Sequence, residues 1–140
     1  MAIRKDAFSE IGLFRTDLGI GKMLPLRNDD TEIVGRLFSF GKRIAYTPKA
    51  TVHHKVPAKR MRMSYLRSWT FFTNLGLIRM SPPKNPTIPR WLIKESMEIG
   101  LSALRAYVQK NKLLGMEQEL LFWERLGRIV GTLVVRRGPS

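Results

Sequence analysis

The sequence predicts a small α/β unit over residues 1–80, a proline-rich connector over 81–89 and a tail of helices over 90–136. Two short segments with the residue pattern of strands lie on either side of Pro48. Before them, a group of acidic residues precedes apolar residues that recur at helical spacing. Further helical patterns follow the connector. Two short strands are marginal without more strands or a covering helix, so we expect the α/β unit to be incomplete.

The composition limits the classes to which the protein can belong. The chain has 140 residues, 44% of them hydrophobic, which suffices for one compact core. Its formal charge of +14 predicts attraction to polyanions such as nucleic acid, anionic lipid and pyrophosphate-bearing substrates. The absence of cysteine excludes disulfides, thiolate metal sites and cysteine nucleophiles. No apolar run resembles a signal peptide or reaches the ~20 residues that cross a bilayer, so we predict a cytoplasmic protein.

The chain up to Asn28 is predicted to contain little regular structure. Ile3–Ile11 has the pattern of a short strand or turn that enters a helical turn, and Gly12 is a usual residue just past a helix C-terminus. From Gly12 to Asn28 the glycines and Pro25 leave neither a helical nor an alternating pattern, which indicates an irregular segment. Loops of this length are often functional.

The next segment is predicted to contain one helix and two strands. Asp29 precedes Glu32 by the spacing of a capping box, and the following apolar residues recur at helical period, which predicts a helix over Asp30–Phe40. Two strands, Arg43–Thr47 and Ala50–Lys55, are expected on either side of a tight turn.

The rest of the chain is predicted to be helical. A helix is expected over Lys59–Met80, before the four prolines of the connector Ser81–Pro89. Two more are expected over Trp91–Lys110 and Met116–Val135, with a break near Asn111–Gly115.

One apolar stripe in the tail has two interpretations. Its members recur along the helix predicted after the connector: Trp91, Met97, Leu101, Leu104 and Val108. The favoured interpretation is that the stripe faces the core. The alternative is a basic amphipathic helix on an anionic membrane, since Lys94, Arg105 and Lys110 lie outside the stripe. In that case the protein would lie peripherally on the inner face of the membrane.

An acidic cluster of Asp29, Asp30 and Glu32 opens the first predicted helix. In the simpler interpretation these carboxylates satisfy free amides and complement the helix dipole, for about 0.3–1 kcal/mol each. In the functional interpretation one of them is a general base at the mouth of a pocket. The long irregular segment before the acids and the basic segment behind them keep the functional interpretation open.

Histidine and arginine candidates follow within residues 33–94, a segment without a single acidic residue. His53 and His54 would point to opposite faces of the predicted strand, so only one can face a site as a metal or phosphate ligand. No second metal ligand lies at a recognisable spacing. Arg60 and Arg67 are seven residues apart on one face of the predicted helix, where they form either a solvated face or a clamp for pyrophosphate oxygens.

A set of residues in fixed order runs through the first 80 positions. Its members are Met1–Phe8, Ile11–Phe14, Leu18, Gly19, Asp29–Glu32, Arg36, Leu37, Gly41, Arg43, Ile44, Tyr46, Pro48, Ala50, Val52 and His54–Pro57. No single motif is decisive, but the ordered set resembles the second half of a family 2 glycosyltransferase catalytic domain of the GT-A type.

The resemblance implies an α/β fold and an inverting transfer from a nucleotide-sugar donor to a glycan or lipid-linked acceptor. Asp30 matches the second member of an acidic pair and is the implied base that deprotonates the acceptor hydroxyl. Asp29 stands where the family usually has Glu. His54 matches a histidine near the nucleotide diphosphate and its metal, so Mn²⁺ or Mg²⁺ is the implied cofactor of the complete enzyme.

The nucleotide-binding half of such enzymes has no counterpart in this sequence. That half ends in an Asp-x-Asp metal motif, which does not occur in the 140 residues. We therefore expect an acceptor-side portion that is inactive alone, with Met1 either an internal methionine or the start of a truncated or split gene. The rival class is a small basic nucleic-acid-binding module. No known nucleic-acid motif appears, so no specific nucleic acid is expected as a partner.

Overall fold

The structure of the chain, a computed structural model, describes residues 1–19 and 26–136. The chain divides into two compact units, Met1–Val56 and Pro57–Ser140. The described residues form α-helices and one short 3₁₀ turn, and contain no β-strand.

The first unit contains two helices, α1 (Ala7–Ile11) and α2 (Asp29–Ser39). The prediction of a helix over 30–40 is confirmed. Helix α1 ends at Gly12, whose φ of 79° favours glycine. Helix α2 follows Asn28, which has a left-handed φ of 77°, and its first turn carries three acidic residues that complement the helix dipole.

A small apolar core joins the two helices of the first unit. Ile11 at the end of α1 is buried against Ile33 and Leu37 on one face of α2. Burial of side chains of this size contributes about 1.5–3 kcal/mol each, so this contact is the main source of stability for α1, which is too short to be stable alone. Partly buried residues complete the cluster: Ile3, Ala7 and Phe8.

Arg36 connects α2 to the chain that leaves α1. Its guanidinium donates hydrogen bonds to the carbonyl oxygens of Ile11 at 2.5 Å and Leu13 at 2.8 Å. The same group forms an ion pair of 2.8 Å with Glu32, whose side chain is only 9% exposed. The Arg36 contacts therefore satisfy carbonyl groups past the end of α1 and fix the position of α2 beside them.

The predicted α/β fold of the GT-A type is wrong for the described residues, because neither expected strand forms. Residues 43–56 are all exposed and lack regular structure, and Tyr46 and Val52 are 90% and 83% exposed. The predicted turn does form, because the Ala50 N–H donates a hydrogen bond to the Thr47 carbonyl oxygen at 3.2 Å. The apolar and β-branched residues favour strands only where other strands or a helix cover them. Residues 1–19 and 26–136 provide no such cover for this segment.

The second unit consists of a 3₁₀ turn, Ala58–Met61, and three helices: α3 (Met63–Met80), α4 (Arg90–Val108) and α5 (Lys112–Arg136). Helix α5 packs against both α3 and α4. The three long helices predicted for 59–80, 91–110 and 116–135 are confirmed, with differences at their ends. No helix over the described residues is long and apolar enough to cross a membrane.

Two helix boundaries differ from the sequence prediction. The helix expected over 59–80 is interrupted at Arg62, whose backbone is extended with ψ of 144°. The break expected near 111–115 is shorter, because α5 begins at Lys112. The Asn111 side chain accepts a hydrogen bond from the Leu114 N–H at 3.2 Å, which satisfies one free amide at the helix start.

The expectation that the apolar stripe of the tail faces the core is also wrong. Helix α4 buries a different face, with Leu92, Ser96, Ala103 and Ala106 turned inward. A Cβ atom on Gly100 would lie 3.3 Å from the Phe122 ring of α5. Small residues on α4 thus make room for a large aromatic side chain on α5, and the large apolar residues of α4 remain outside.

Candidate functional site

The predicted acidic pair lies at the start of α2, one residue after the left-handed Asn28. Asp30 is exposed, and its Oδ1 accepts a hydrogen bond of 2.8 Å from the Thr31 N–H. Asp29 is half-buried, and its Oδ2 would lie 3.5 Å from a Cβ atom built on Gly19. The two carboxylates therefore have different surroundings, and Asp30 is the one that solvent reaches more freely.

Two residues of helix α2 that follow Asp30 fix the helix in the first unit. Ile33, one turn further on, is fully buried, and Arg36 holds the next turn to the carbonyl groups that follow α1. The arrangement gives an exposed carboxylate oxygen on an anchored helix, where an acceptor hydroxyl can reach it, and such access is a geometric requirement for a general base.

The candidate histidine is in an irregular segment. His54 and its neighbour His53 are both exposed, and the strand that would have turned them to opposite faces is absent. Over residues 1–19 and 26–136 no three His, Asp or Glu side chains come close enough together to hold a metal ion. The described residues alone therefore provide no complete site for a divalent cation.

The two candidate arginines are in the second unit, whereas Asp29, Asp30 and His54 are in the first. Arg60 lies in the 3₁₀ turn, with its guanidinium 5.8 Å from the centre of the Tyr65 ring. Arg67 lies in α3 and pairs with Glu119 of α5 at 2.5 Å. Since Arg62 interrupts the helix between them, the expectation that Arg60 and Arg67 share a face of one helix is wrong.

Glu119 is the centre of a polar cluster that the sequence did not reveal. Its carboxylate pairs with Arg67 of α3, and accepts hydrogen bonds from the Tyr107 hydroxyl of α4 at 2.7 Å and from the Trp123 indole at 3.4 Å. The hydrogen bond to Glu119 raises the pKa of Arg67. Arg67 is thereby occupied by a carboxylate, which leaves it less suited to the diphosphate role that was expected of it.

The cluster also lowers the pKa of Glu119. Burial is the largest single influence and raises that pKa, but the hydrogen bonds from Arg67, Tyr107 and Trp123 together bring it below its ordinary value of 4.5. A carboxylate with a lowered pKa in the folded state stabilises that state above its ordinary pKa. This stabilisation is lost as the pH falls through the lowered value.

A Glu119→Gln variant is expected to lose about 1–2 kcal/mol of unfolding free energy at neutral pH, because it removes the charge from this cluster while keeping the shape. The difference from the wild type should shrink as the pH falls below about 4.5. Urea titrations followed by tryptophan fluorescence would measure both effects. Glu117→Gln, an exposed neighbour on the same helix, is the matched control and should change little. Equal losses in the two variants would contradict this account of Glu119.

The first unit also contains a cleft with a volume of about 520 Å³. It lies between the start of the chain and the residues that follow α2. Its walls mix apolar and charged side chains: Met1, Ala2, Ile3, Arg4, Asp6, Ala7, Glu10, Leu37, Lys42, Arg43, Ile44 and Ala45. None of the five residues predicted from the sequence lines it. A salt bridge of 2.6 Å between Lys42 and Glu10 ties its two sides together.

Comparisons of the chain with protein-family models, with curated proteins and with solved structures find no match.

Proposed function

We propose that this chain supplies the acceptor-side residues of an inverting glycosyltransferase, with Asp30 as the base. The observation that carries the proposal is the exposed Asp30 carboxylate in the first turn of α2, on a helix anchored by Ile33 and Arg36. The ordered set of matching residues in the first 80 positions supports it from the sequence. Asp29 is proposed as the secondary member of the acidic pair.

The proposed reaction requires one proton acceptor and one region that stabilises negative charge. Asp30 takes the proton of the acceptor hydroxyl while the acceptor oxygen forms a bond to the sugar C1. The bond between C1 and the phosphate oxygen breaks, and the nucleoside diphosphate leaves with that electron pair. Within the first unit, the residues that follow α2 include Lys42, Arg43, Lys49 and Lys55 and no carboxylate, which suits the departing charge.

The resemblance supports the proposal that a separate donor-binding segment, with the Asp-x-Asp motif of such enzymes, binds the nucleotide sugar. His54 is proposed to contact the diphosphate within the complete enzyme. Arg60 and Arg67 belong to the second unit, where Arg60 lies beside the Tyr65 ring and Arg67 pairs with Glu119, and neither is given a role in this site.

The chain by itself is therefore expected to bind no nucleotide sugar, whereas it should support transfer when combined with a donor-binding half. Titration calorimetry with a panel of nucleotide sugars and Mn²⁺ measures the first expectation. Release of nucleoside diphosphate, with the chain added or omitted, measures the second. Micromolar binding of a nucleotide sugar by the chain alone would overturn the proposal. Release that is the same without the chain would also overturn it.

A further inference from the structure

Helix α4 carries an apolar surface that its own unit does not cover. We call it the α4 stripe and define it as Ile93, Met97, Leu101, Leu104 and Val108. Met97 and Val108 are 70% and 75% exposed, and Leu104 is 60% exposed. Large apolar side chains usually lie scattered on a protein surface, and a continuous row of them indicates a binding surface.

Helical geometry places the α4 stripe on one side of the helix. Its members are separated by steps of three or four residues, so they share one face. The opposite face contains Leu92, Ser96, Ala103 and Ala106, which are buried, and α4 packs against α5. The stripe therefore points away from α5, and α4 cannot turn it inward without losing the contact that holds the helix in the unit.

The border of the α4 stripe is basic. Arg90, Lys94 and Arg105 are exposed on the same helix, Lys110 is exposed in the turn that follows it, and Lys112 is exposed at the start of α5. Glu95 pairs with Arg125 of α5 at 3.1 Å, and Glu98 lies 3.8 Å from Lys94. Long basic side chains can lay their stems along an apolar surface while the charged ends reach lipid headgroups.

We propose that α4 lies on an anionic membrane surface, with the α4 stripe at the boundary between headgroups and acyl chains. An anionic lipid surface matches both features, because acyl chains cover the apolar row and phosphate groups meet the basic border. The helix, with 19 residues, would extend about 28 Å along the surface. This inference is independent of the proposed transfer chemistry, since α4 contains none of the residues assigned to it.

Two other occupants of the α4 stripe match the surface less well. A second copy of the chain, joined by two-fold symmetry through the stripe, would bring the basic border of each copy against the same border of the other. Nucleic acid would satisfy the basic residues but would leave the apolar row in water, since phosphate contacts supply nearly all non-specific affinity. Only the lipid surface uses both the charge and the apolar row.

Vesicle co-sedimentation tests the proposal with the chain itself. The vesicles contain either phosphatidylcholine alone or phosphatidylcholine mixed with phosphatidylglycerol. Wild-type chain is expected to bind the mixed vesicles and to bind phosphatidylcholine much more weakly. Met97→Gln should weaken binding to the mixed vesicles by about 10-fold, because each buried methylene contributes strongly to such binding. Lys94→Glu should weaken binding to the mixed vesicles but leave the weak binding to phosphatidylcholine unchanged.

Met61→Gln is the matched control for Met97→Gln. Met61 is 77% exposed in the same unit but does not belong to the α4 stripe, whereas Met97 does. The two variants therefore make the same chemical change at a similar exposure, one outside the stripe and one within it. Met61→Gln should bind like the wild type, and circular dichroism should show the same helix content in all variants. Equal binding by Met97→Gln and Met61→Gln would overturn the proposal. Self-association without vesicles that Met97→Gln abolishes would also overturn it, in favour of a second copy.

Discussion

Asn in place of Asp30 is expected to lower the rate of sugar transfer by the complete enzyme by about 10²–10⁴-fold, the usual contribution of general base catalysis. The substitution keeps the size of the side chain and removes its ability to accept a proton. Donor affinity should stay near the wild-type value, because the base acts on the acceptor. Steady-state rates with saturating donor, together with donor titrations by calorimetry, measure the two quantities separately.

Asp29→Asn is the matched control for this prediction, because it makes the same change on the adjacent residue of the same helix. Asp29 is half-buried beside Gly19, whereas Asp30 is exposed. We expect a smaller loss of activity from Asp29→Asn. An Asp30→Asn enzyme with nearly normal activity, or equal losses from both variants, would contradict the assignment of Asp30 as the base.

A Gly127→Ala substitution is expected to destabilise the second unit by about 1–3 kcal/mol. A Cβ atom at this position of α5 would overlap the backbone carbonyl oxygen of Phe71 and lie 3.1 Å from the Asn74 Cβ atom. Backbone atoms cannot rotate away as a side chain can, so helices α3 and α5 would have to separate. Thermal and urea unfolding followed by tryptophan fluorescence would measure the loss, since all three tryptophans lie in this unit.

Gly35→Ala controls for the effect of alanine on helix propensity. Among the described residues, no atom outside the adjacent residues and the backbone of α2 lies within 4 Å of a Cβ atom built on Gly35. This substitution should therefore be neutral or stabilise the helix by up to about 1 kcal/mol, since alanine favours helices over glycine. Circular dichroism during unfolding measures the effect. A Gly127→Ala protein as stable as Gly35→Ala would mean that α3 and α5 are not in close contact there.

The long helices could be predicted from the sequence because their signal is local. Apolar residues at intervals of three and four identify a helix whatever it packs against, and the prolines between Ser81 and Pro89 separate α3 from α4. The acidic start of α2 also follows from the sequence, but the capping box predicted from Asp29 and Glu32 does not form, because Asn28 is the N-cap residue and makes no side-chain cap hydrogen bond. These features depend on residues only a few positions apart.

The strands could not be predicted reliably because a strand depends on its neighbours. The segments 43–47 and 50–55 have the right residues, but the described chain offers them no partner strand and no covering helix. The predicted orientation of α4 is wrong for a related reason, because the buried face of a helix also depends on its packing partner. The larger apolar stripe predicts one buried face, but the space beside Phe122 and α5 favours the face with Gly100 and small residues.

The polar contacts of the second unit also could not be predicted from residues that are neighbours in the sequence. The spacing of Arg67 from Arg60 predicts an anion ligand, but the partner of Arg67 is Glu119, which lies 52 positions away. Tyr107 joins the same carboxylate from α4. Only the packing of α3, α4 and α5 brings these groups together, so no short motif could have indicated the cluster.

Inverting transfer with Asp30 as the base is tested most directly by a proton NMR spectrum of the sugar product formed when this chain acts with a donor-binding half. We expect chain-dependent transfer to an acceptor hydroxyl, with the anomeric configuration opposite to that of the donor. That product should be lost when Asp30 is replaced by Asn. A product with retained configuration, or an inverted product that forms equally well with Asp30→Asn, would contradict the claim.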